Sequence, residues 1–554
     1  MVPIPKTAIT PTLFDLTAVF PLENNEFLLL TSSQGLFKLS QNTIKVFDCE
    51  ANSQLITNQT TSGTVLRNGQ FAIGTLNAGI VIISKNGQII NQIKDNDYLQ
   101  NMLVNAMFTN RDGALWLALN NGIVQIEVDS PIEKFNEFSN LKGEVKAVVR
   151  ANGRLYAATL NGLFYIDNFN VKPVATLNAG CFDLAVASNG LLAATNRGLF
   201  LVSERGTQQL TPFYSLCVYV SKINPSVVFV GQQNGLGMLN LAGGGRNFRL
   251  VGKTNEQIVG ITEDEKGNLW LETLSDGVIK INVQTNEEKK YAAQDGLPPL
   301  SYNRITNTSK GLIAYNQKGI FRFQSQKDKF EPFNLFQTDS AATVYWNGKI
   351  LEERSGKIWT TRGDEKLITS YLPTGQPNKP YQATNTPFLP ISDIPFNVIY
   401  PDQSNIIWFG GSEGLIRFDL NLSQEYQRSF PALIRKVTVK GEQALFNGYP
   451  TDTTAITDNL SVPKIRLEPN NNNIEFEFSA PSFNVNEVLS FQYYLENFDK
   501  VWSEWTTQSQ KEYTNLPPGN YKFRVRARNI YGKQSDEAIV EFSIATPMYL
   551  KWWA

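Results

Sequence analysis

Residues 405–419 read Asn405-Ile406-Ile407-Trp408-Phe409-Gly410-Gly411-Ser412-Glu413-Gly414-Leu415-Ile416-Arg417-Phe418-Asp419. Apolar residues run from Ile406 to Phe409, and the apolar pattern resumes at Leu415, directly after Gly414. Glycine adopts the positive φ of a tight hairpin turn at no steric cost. The stretch therefore predicts a strand, a tight turn and a second strand.

The same pattern recurs along most of the chain, with clear copies at Leu115-Trp116 before Gly122 and at Leu269-Trp270 before Gly277. The turn glycines of the clear and weaker copies fall at positions 35, 79, 122, 162, 198, 235, 277, 319, 363 and 414. A repeat of ~40–45 residues with several strands per unit is typical of propeller blades. The alternative is a β-rich chain with unrelated hairpins, and so many copies in register argue against it.

Composition excludes several classes of function. The net charge of −1, from 50 basic and 51 acidic residues, argues against a nucleic-acid partner held through phosphate contacts. The absence of histidine excludes Ser-His-Asp and Cys-His catalysis and His-ligated metals. Cys49, Cys181 and Cys217 lack metal-ligand spacing, so we expect no metal and no cofactor. No apolar run reaches the ~18 residues of a membrane helix.

An interruption of the repeat spacing divides the chain. Residues 129–143 contain a proline among polar residues, which we interpret as an inter-domain connector. We predict an all-β fold with three blades in residues 1–143, a seven-bladed β-propeller in 144–430, a β-sandwich in 431–545 and a juxtamembrane segment in 546–554. The three blades would be the end of a truncated first propeller, because three cannot close a ring. One ring of nine or ten blades is the alternative.

The last part of the chain carries a more specific pattern. It comprises Gln492-Tyr493-Tyr494-Leu495-Glu496-Asn497-Phe498-Asp499, then Trp502 and Trp505, then Glu512-Tyr513-Thr514-Asn515-Leu516-Pro517-Pro518-Gly519-Asn520-Tyr521. This pattern resembles the three-tyrosine domain, with Tyr493, Tyr513 and Tyr521 as the tyrosines. The hairpin repeat resembles the two-component regulator propeller repeat. Together they resemble the extracytoplasmic sensor region of Bacteroidetes two-component-type receptors.

The resemblance implies a periplasmic region that binds a ligand and relays it through an immunoglobulin- or fibronectin-like sandwich, a following membrane helix and a cytoplasmic output such as a histidine kinase. It implies no enzyme activity in this chain, which lacks an output domain, and a homodimer through the sandwich. Tyr549, Trp552 and Trp553 are of the kind that a membrane interface attracts, although a terminal strand with packed aromatics is equally compatible. Tyr493, Trp502, Trp505, Tyr513 and Tyr521 are expected mostly as core.

Propeller loops gather at one end of a central channel, where side chains from many blades converge on one ligand. The ligand would be a small molecule or oligosaccharide. Aromatic and amide side chains suit a sugar, and the candidates are Trp346, Asn347, Tyr302, Asn303 and Tyr214. The alternative for each is packing between blades.

Two other functions are compatible with the same sequence. A propeller-based hydrolase or lyase acting on carbohydrate needs two carboxylates facing each other across the channel. The cluster of Glu263, Asp264 and Glu265 precedes a hairpin and is interpreted as a solvated turn. A scaffold for protein partners is the third possibility.

Overall fold

The structure is a computed structural model of the 554-residue chain. It describes residues 15–41, 43–93, 103–110, 113–128, 130–167, 170–243, 245, 247–275, 277–299, 302–336, 348–361, 368–376, 379–422, 426, 429–439, 443–448, 465–481 and 489–547.

Three sheets, called the arc below, form the N-terminal part. The first holds β1 (Leu16–Pro21), β2 (Phe27–Thr31), β3 (Gly35–Ser40) and β4 (Thr43–Val46), and a helix, α1 (Asn52–Asn58), follows it. The second holds β5 (Thr60–Val65), β6 (Phe71–Thr75), β7 (Ile80–Ile83) and β8 (Ile89–Ile93), and the third holds β9 (Val104–Thr109), β10 (Leu115–Leu119) and β11 (Gly122–Ile126). Their first strands β1, β5 and β9 lie side by side, as in consecutive propeller blades.

After the arc comes one short strand, β12 (Ile132–Phe135), and then a ring of blades. Blade one is β13 (Val145–Ala151), β14 (Arg154–Thr159), β15 (Gly162–Asp167) and β16 (Asn170–Pro173); blade two is β17 (Cys181–Ala187), β18 (Gly190–Thr195), β19 (Gly198–Ser203) and β20 (Gly206–Thr211); blade three is β21 (Ser215–Val220), β22 (Val227–Gln232), β23 (Gly235–Asn240) and β24 (Arg249–Val251). Blade four is β25 (Ile258–Glu263), β26 (Asn268–Thr273), β27 (Val278–Asn282) and β28 (Glu288–Tyr291); blade five is β29 (Arg304–Thr308), β30 (Gly311–Asn316), β31 (Gly319–Gln324) and β32 (Lys329–Pro332).

Blade six is β33 (Ile350–Glu352), β34 (Ile358–Thr361), β35 (Ile368–Gln376) and β36 (Lys379–Thr384). Blade seven combines β37 (Phe396–Pro401), β38 (Ile406–Gly411) and β39 (Gly414–Asp419) with β12, which pairs antiparallel with β39. Short 3-10 turns span Glu23–Asn25, Glu137–Ser139, Leu241–Gly243, Ala293–Asp295 and Thr386–Ile391.

The pairing of β12 with β39 closes the ring and corrects the predicted connector at 129–143. Ile132 and Phe135 flank a charged pair, and all four residues pair with β39. The segment is therefore a short strand, and the ring begins before residue 144. Phe135 packs against Trp408 with ring centroids 5.7 Å apart. Gly414 has φ 99°, and a Cβ there would lie 2.2 Å from the Phe135 carbonyl oxygen, so glycine is required at this turn.

Blades one and seven are also joined by side chains. The Arg150 guanidinium donates to both carboxylate oxygens of Asp402, and the Arg150 amide donates to Tyr400 Oη at 3.0 Å. Buried residues of both blades share one hydrophobic cluster, which includes Val148 and Val398. The first strands of the seven blades therefore surround one channel.

Two side-chain devices explain why the repeat forms a blade. A threonine at the end of the second strand forms a hydrogen bond across the turn: Thr195 Oγ1 donates to the Gly198 carbonyl at 2.7 Å. An acidic residue at the other end of the blade accepts the indole N–H of a buried tryptophan, as Asp264 does from Trp270 at 3.0 Å and Asp402 from Trp408 at 3.0 Å. Glu263 is buried and accepts from Ser221 Oγ at 2.8 Å. The predicted solvated carboxylate cluster is therefore wrong for Glu263 and Asp264, which hold the blades together.

The C-terminal domain is a sandwich of two four-stranded sheets. Its strands are β40 (Leu433–Val439), β41 (Gln443–Phe446), β42 (Ile465–Leu467), β43 (Ile474–Ser479), β44 (Ser490–Glu496), β45 (Gln510–Tyr513), β46 (Gly519–Arg528) and β47 (Ala538–Ile544). The sheets run β41-β40-β43-β45 and β42-β47-β46-β44, with β42 parallel to β47. The predicted all-β class, with a seven-bladed ring, a three-blade partial propeller and a sandwich, is confirmed.

Candidate ligand-binding site

The first strands of the ring blades all begin at the same end of the channel. We call this end the channel mouth and define it by residues at or just before these strands: Glu144, Lys146, Phe182, Asp183, Tyr214, Leu216, Val259, Tyr302, Arg304, Lys349 and Asn397. Glu272, at the end of β26, reaches the same place because Ile305 N donates to its Oε1 at 2.9 Å. Of this set, only Tyr302 is well exposed, and most of the others are half-buried.

Strand irregularities bring several of these side chains to the mouth. In β13, β17, β21, β25 and β37 the ladder shifts by one residue near its start. Such a bulge leaves a residue unpaired and re-aims its side chain. The unpaired residues are Lys146, Phe182, Leu216, Val259 and Asn397.

On blades two to four, apolar residues of the mouth lie beside the two carboxylates Asp183 and Glu272. Tyr214 stacks on Phe182 with ring centroids 5.4 Å apart and an interplanar angle of 27°. Leu216 and Val259 continue this apolar surface along the next two strands. A flat aromatic pair beside aliphatic residues is a surface on which a sugar ring or another planar apolar face can stack.

The opposite side of the mouth is charged and lies on blades five, six, seven and one. The Arg304 guanidinium lies 5.8 Å from the centroid of the Tyr302 ring and is hydrogen-bonded to Tyr315. Lys349 Nζ interacts electrostatically with Arg304, Asp183 and Glu272. On blades one and seven, Glu144 accepts from Lys146 Nζ at 2.8 Å and from Asn397 Nδ2 at 2.5 Å.

Two carboxylates at the mouth join neighbouring blades. Asp183 on β17 accepts Val218 N of blade three at 3.0 Å, and Glu272 of blade four accepts Ile305 N of blade five. Because burial disfavours the charged form, it raises the pKa of Asp183 to about 6 and raises the pKa of Glu272 as well. Gly260 makes room for this arrangement, since a Cβ there would lie 2.6 Å from the Glu272 carboxyl group.

The predicted ligand residues fall into three groups. Tyr214 and Tyr302 lie at the mouth, and Tyr302 Oη is 3.4 Å from Glu272 Oε2. Asn303 is fully buried and accepts from Asn316 Nδ2 at 2.7 Å, so its amide packs within blade five and is not exposed at the mouth. Trp346 and Asn347 lie outside the described residues.

The charged residues of the mouth were missed in the sequence. Asp183, Glu272, Arg304 and Lys349 occur in different blades and share no local motif. A partial signal was present: each first strand precedes the repeat glycine by a similar but variable number of residues, so aligning the repeats on that glycine would have brought the strand starts close together.

The sandwich aromatics divide into core and surface. Tyr513 and Tyr521 are buried, with Tyr513 Oη donating to Asp499 Oδ2 at 2.7 Å and Tyr521 Oη to the Pro517 carbonyl at 2.6 Å. Tyr493 is half-buried against Phe478 and Phe523.

Trp502 and Trp505 are the two of the five aromatics that lie outside the core, where they are half-buried. Arg526 lies 4.3 Å from the Trp502 ring centroid, and Arg528 lies 4.4 Å from that of Trp505. Arginine and tryptophan side chains thus alternate on the outer face of the sheet, because alternate residues of β46 point away from the core. Tyr549, Trp552 and Trp553 lie outside the described residues.

The segment that leaves the ring is attached to the sandwich. The Tyr426 and Tyr531 rings lie 5.0 Å apart, Asp536 N donates to the Phe430 carbonyl at 3.0 Å, and Ala432 N donates to the Asp536 carbonyl at 3.1 Å. Phe430 itself packs against the sandwich core. Ring and sandwich are therefore joined by packed side chains and backbone hydrogen bonds as well as by the chain itself.

Within the part of the chain that the structure describes, no group of three or more Cys, Asp or Glu side chains is placed to hold a metal ion. The same residues include no helix that is long and apolar enough to cross a membrane. Cys49, Cys181 and Cys217 are buried free thiols, and burial raises the pKa of each.

Comparison with known proteins identifies the C-terminal domain. Residues 482–545 match the Y_Y_Y domain family. A curated histidine kinase P4 of Formosa agariphila is 22% identical over 165 residues, which cover 27% of this chain. The match spans only 11% of that kinase, so the chain corresponds to a small part of its length.

Solved structures extend the likeness to the whole chain. The extracellular domain of a protein assigned to a hybrid two-component system of B. thetaiotaomicron superposes with a TM-score of 0.60 at 19% identity, covering 96% of this chain and 78% of that one. A second B. thetaiotaomicron extracellular domain reaches a TM-score of 0.42 at 17% identity, with coverages of 99% and 77%. The chain thus carries a Y_Y_Y domain behind β-propeller blades, and it has the fold of the extracellular domain of a two-component-type sensor, as the sequence resemblance predicted.

Proposed function

We propose that this chain is the periplasmic ligand-sensing region of a transmembrane signalling receptor, and that it binds a small molecule or glycan fragment at the channel mouth. The observation that carries the proposal is the two-sided mouth, where Tyr214 and Phe182 face a charged side formed by Arg304 and Lys349. Side chains from several blades converge there, which is how propellers build a binding site. The extracellular origin of the structural relatives supports the same role.

A thermal-shift screen of the chain against oligosaccharides and small sugars tests binding, because a ligand that binds only the folded state raises the melting temperature. Tyr214→Ala should weaken a ligand found this way about tenfold, since it removes half of the aromatic stack. Phe138→Ala, an exposed aromatic outside the mouth, is the matched control. A ligand bound equally well by Tyr214→Ala and wild type would place the site elsewhere.

The relay to the membrane would pass through the sandwich. Tyr531 and Phe430 attach the segment leaving the ring to this domain, so a movement of the ring is transmitted to it. Ligand must bind two arrangements with different affinity to shift their populations. A flexible Gly/Ser insert after Ala545 in the full receptor should uncouple ligand from output while leaving ligand affinity unchanged. Normal switching with the insert would contradict rigid relay.

A homodimer through the sandwich belongs to this proposal, with the membrane reached through a following helix. Analytical ultracentrifugation of the chain with and without ligand measures the association. Removal of residues 431–554 should abolish it. A dimer that persists without the sandwich would move the interface to the propeller blades.

A carbohydrate-active enzyme is the second candidate because Asp183 and Glu272 place two carboxylates at the mouth. Their hydrogen bonds to backbone amides of the next blade favour a role in holding the blades together. A reducing-sugar assay on a glycan panel decides between the two. Turnover that is lost in Glu272→Gln would establish the enzyme and remove the pure sensor.

A further inference from the structure

Lys349 and Arg304 are two neighbouring cations at the channel mouth. Each cation lies within electrostatic range of the other and of Glu272, and Lys349 also interacts with Asp183, so two cations and two carboxylates meet here. Among the residues that the structure describes, neither side chain forms an ion pair with a carboxylate within 4.0 Å. The Arg304 guanidinium is instead hydrogen-bonded to the Tyr315 side chain.

The backbone holds Lys349 firmly in this place. Lys349 N donates to Thr361 Oγ1 at 2.9 Å, and Thr361 N donates to the Lys349 carbonyl at 3.1 Å. At the preceding Gly348, a Cβ would lie 1.2 Å from the Thr361 carbonyl oxygen, so the strand approaches closely enough to require glycine. The backbone position of Lys349, directly before β33, is therefore fixed by blade six.

The nearby carboxylates already have other partners. Asp183 accepts from Val218 N and Leu184 N, and Glu272 accepts from Ile305 N and Tyr302 Oη. Val218 N and Ile305 N belong to the next blade, so one oxygen of each carboxylate is directed toward a strand of that blade. The ammonium of Lys349 is half-buried and lacks a direct acidic partner, and burial together with Arg304 lowers its pKa.

We propose that Lys349 and Arg304 bind an anionic group of the ligand, a carboxylate or a sulfate, while its apolar face lies on Tyr214 and Phe182. This inference rests on the proposed ligand site at the channel mouth and names the chemistry that the site selects. A charge-assisted hydrogen bond to a half-buried ammonium is among the stronger contacts available to a small ligand. A sugar acid and a planar organic acid both carry these two features.

The test compares four probes by calorimetric titration of the full chain: inorganic sulfate, D-galacturonate, benzoate and D-galactose, with sodium chloride at matched ionic strength. Galacturonate and galactose differ by one carboxylate. We expect at least one of the three anions to bind saturably, and galactose to bind more weakly than galacturonate. Benzoate and galacturonate distinguish a planar organic acid from a sugar acid as the source of the anion.

Lys349→Met should weaken the bound anion about tenfold or more, the loss expected for one charged hydrogen bond. Lys266→Met, an exposed lysine in the turn between β25 and β26, is the matched control and should bind like wild type. Circular dichroism and the melting temperature verify that both variants fold. If Lys349→Met does not fold, Arg304→Lys replaces it, because the charge remains but the planar donor pair is lost.

Two results would overturn the anion site. One is the failure of all three anions to bind wild type above the chloride control. The other is an anion that binds wild type, Lys349→Met and Lys266→Met equally. A neutral oligosaccharide that binds at Tyr214 and ignores Lys349 would overturn this inference and leave the proposed sensor function standing.

Discussion

Several indole N–H groups of the ring donate to an acidic side chain six residues earlier in the chain. Asp264 performs this role for the fully buried Trp270 and also accepts from Asn268 Nδ2 at 3.0 Å. Burial raises the pKa of Asp264, but these hydrogen bonds outweigh it and the pKa is lowered. The carboxylate is thus charged at neutral pH and holds the end of blade four.

Replacing Asp264 with alanine should destabilise the protein by about 1–3 kcal/mol, because the buried indole N–H is left without its acceptor. The free energy of unfolding in denaturant measures the effect. Glu265→Ala, at the exposed neighbouring position, is the control and should change stability by less than about 0.5 kcal/mol. Equal stability of the two variants would show that the pairing does not hold the blade.

Asp183 gives the stability a pH dependence of defined sign. Burial raises its pKa from the usual 3.8 to about 6, so its contribution to stability is fully present below pH ~4 and is lost as the pH rises through ~6. Asp183→Asn removes this titration. Between these pH values wild type should lose about 1–3 kcal/mol relative to the variant. Melting curves over this range provide the measurement, and a constant difference between the two proteins would contradict the shift.

Individual residues were predicted unevenly from sequence. Tyr214 and Tyr302, chosen because aromatic side chains suit a sugar, lie at the mouth, and their role in binding stays a prediction. Asn303 resembled them in sequence, but its place one residue further along turns the amide into the blade. Lys349 and Asp183 could not be found, because only closure of the ring brings blades two and six to the same channel.

At the scale of elements, β12 shows how a single strand completes the ring. It precedes blade one in sequence, yet it forms the outer strand of blade seven. It contributes few apolar side chains to the core, but one of them, Phe135, is buried against Trp408. The sequence suggested a linker here because a proline and several polar residues surround only two inward-facing apolar side chains, and the partner strand lies almost 300 residues later.

Phe135→Ala should destabilise the ring by about 3–5 kcal/mol, the usual effect of deleting a buried phenylalanine. Phe138→Ala, three positions later and about half exposed, should have a much smaller effect. Chemical denaturation followed by tryptophan fluorescence detects both, since Trp408 contacts Phe135. A similar loss in the two variants would mean that closure by β12 does not stabilise the ring.

The arc differs from the ring because its blades do not surround a closed channel. Phe108 is 66% exposed and Ile123 is 74% exposed, both on the third sheet. Residues 1–143 expressed alone should therefore self-associate and lack a cooperative melting transition, because apolar faces and strand edges stay open. Sedimentation and calorimetry of this segment, beside residues 129–554 as the control, measure this. A monomeric arc with a cooperative transition would contradict the expectation.

At the scale of the whole molecule, the fold class and the order of the domains along the chain could be predicted from the sequence. The chemistry of the site could be predicted only in part. The repeat glycines and the tyrosine pattern are local signals, so blades and sandwich could be identified without a structure. The mouth is a long-range property, made by the ends of strands that are far apart in sequence. The contact between Tyr426 and Tyr531 is also a long-range property, because it joins the segment that leaves the ring to a turn of the sandwich about 100 residues later.

The central claim is that ligand binds at the channel mouth, and hydrogen–deuterium exchange of the full chain with a ligand from the screen tests it most directly. Bound ligand should slow exchange at the starts of the first strands, around Ser215, Arg304 and Ile350. Exchange around Thr285, in the turn between β27 and β28, should stay unchanged as an internal control. Protection confined to the arc or the sandwich, with none at these strand starts, would contradict the account.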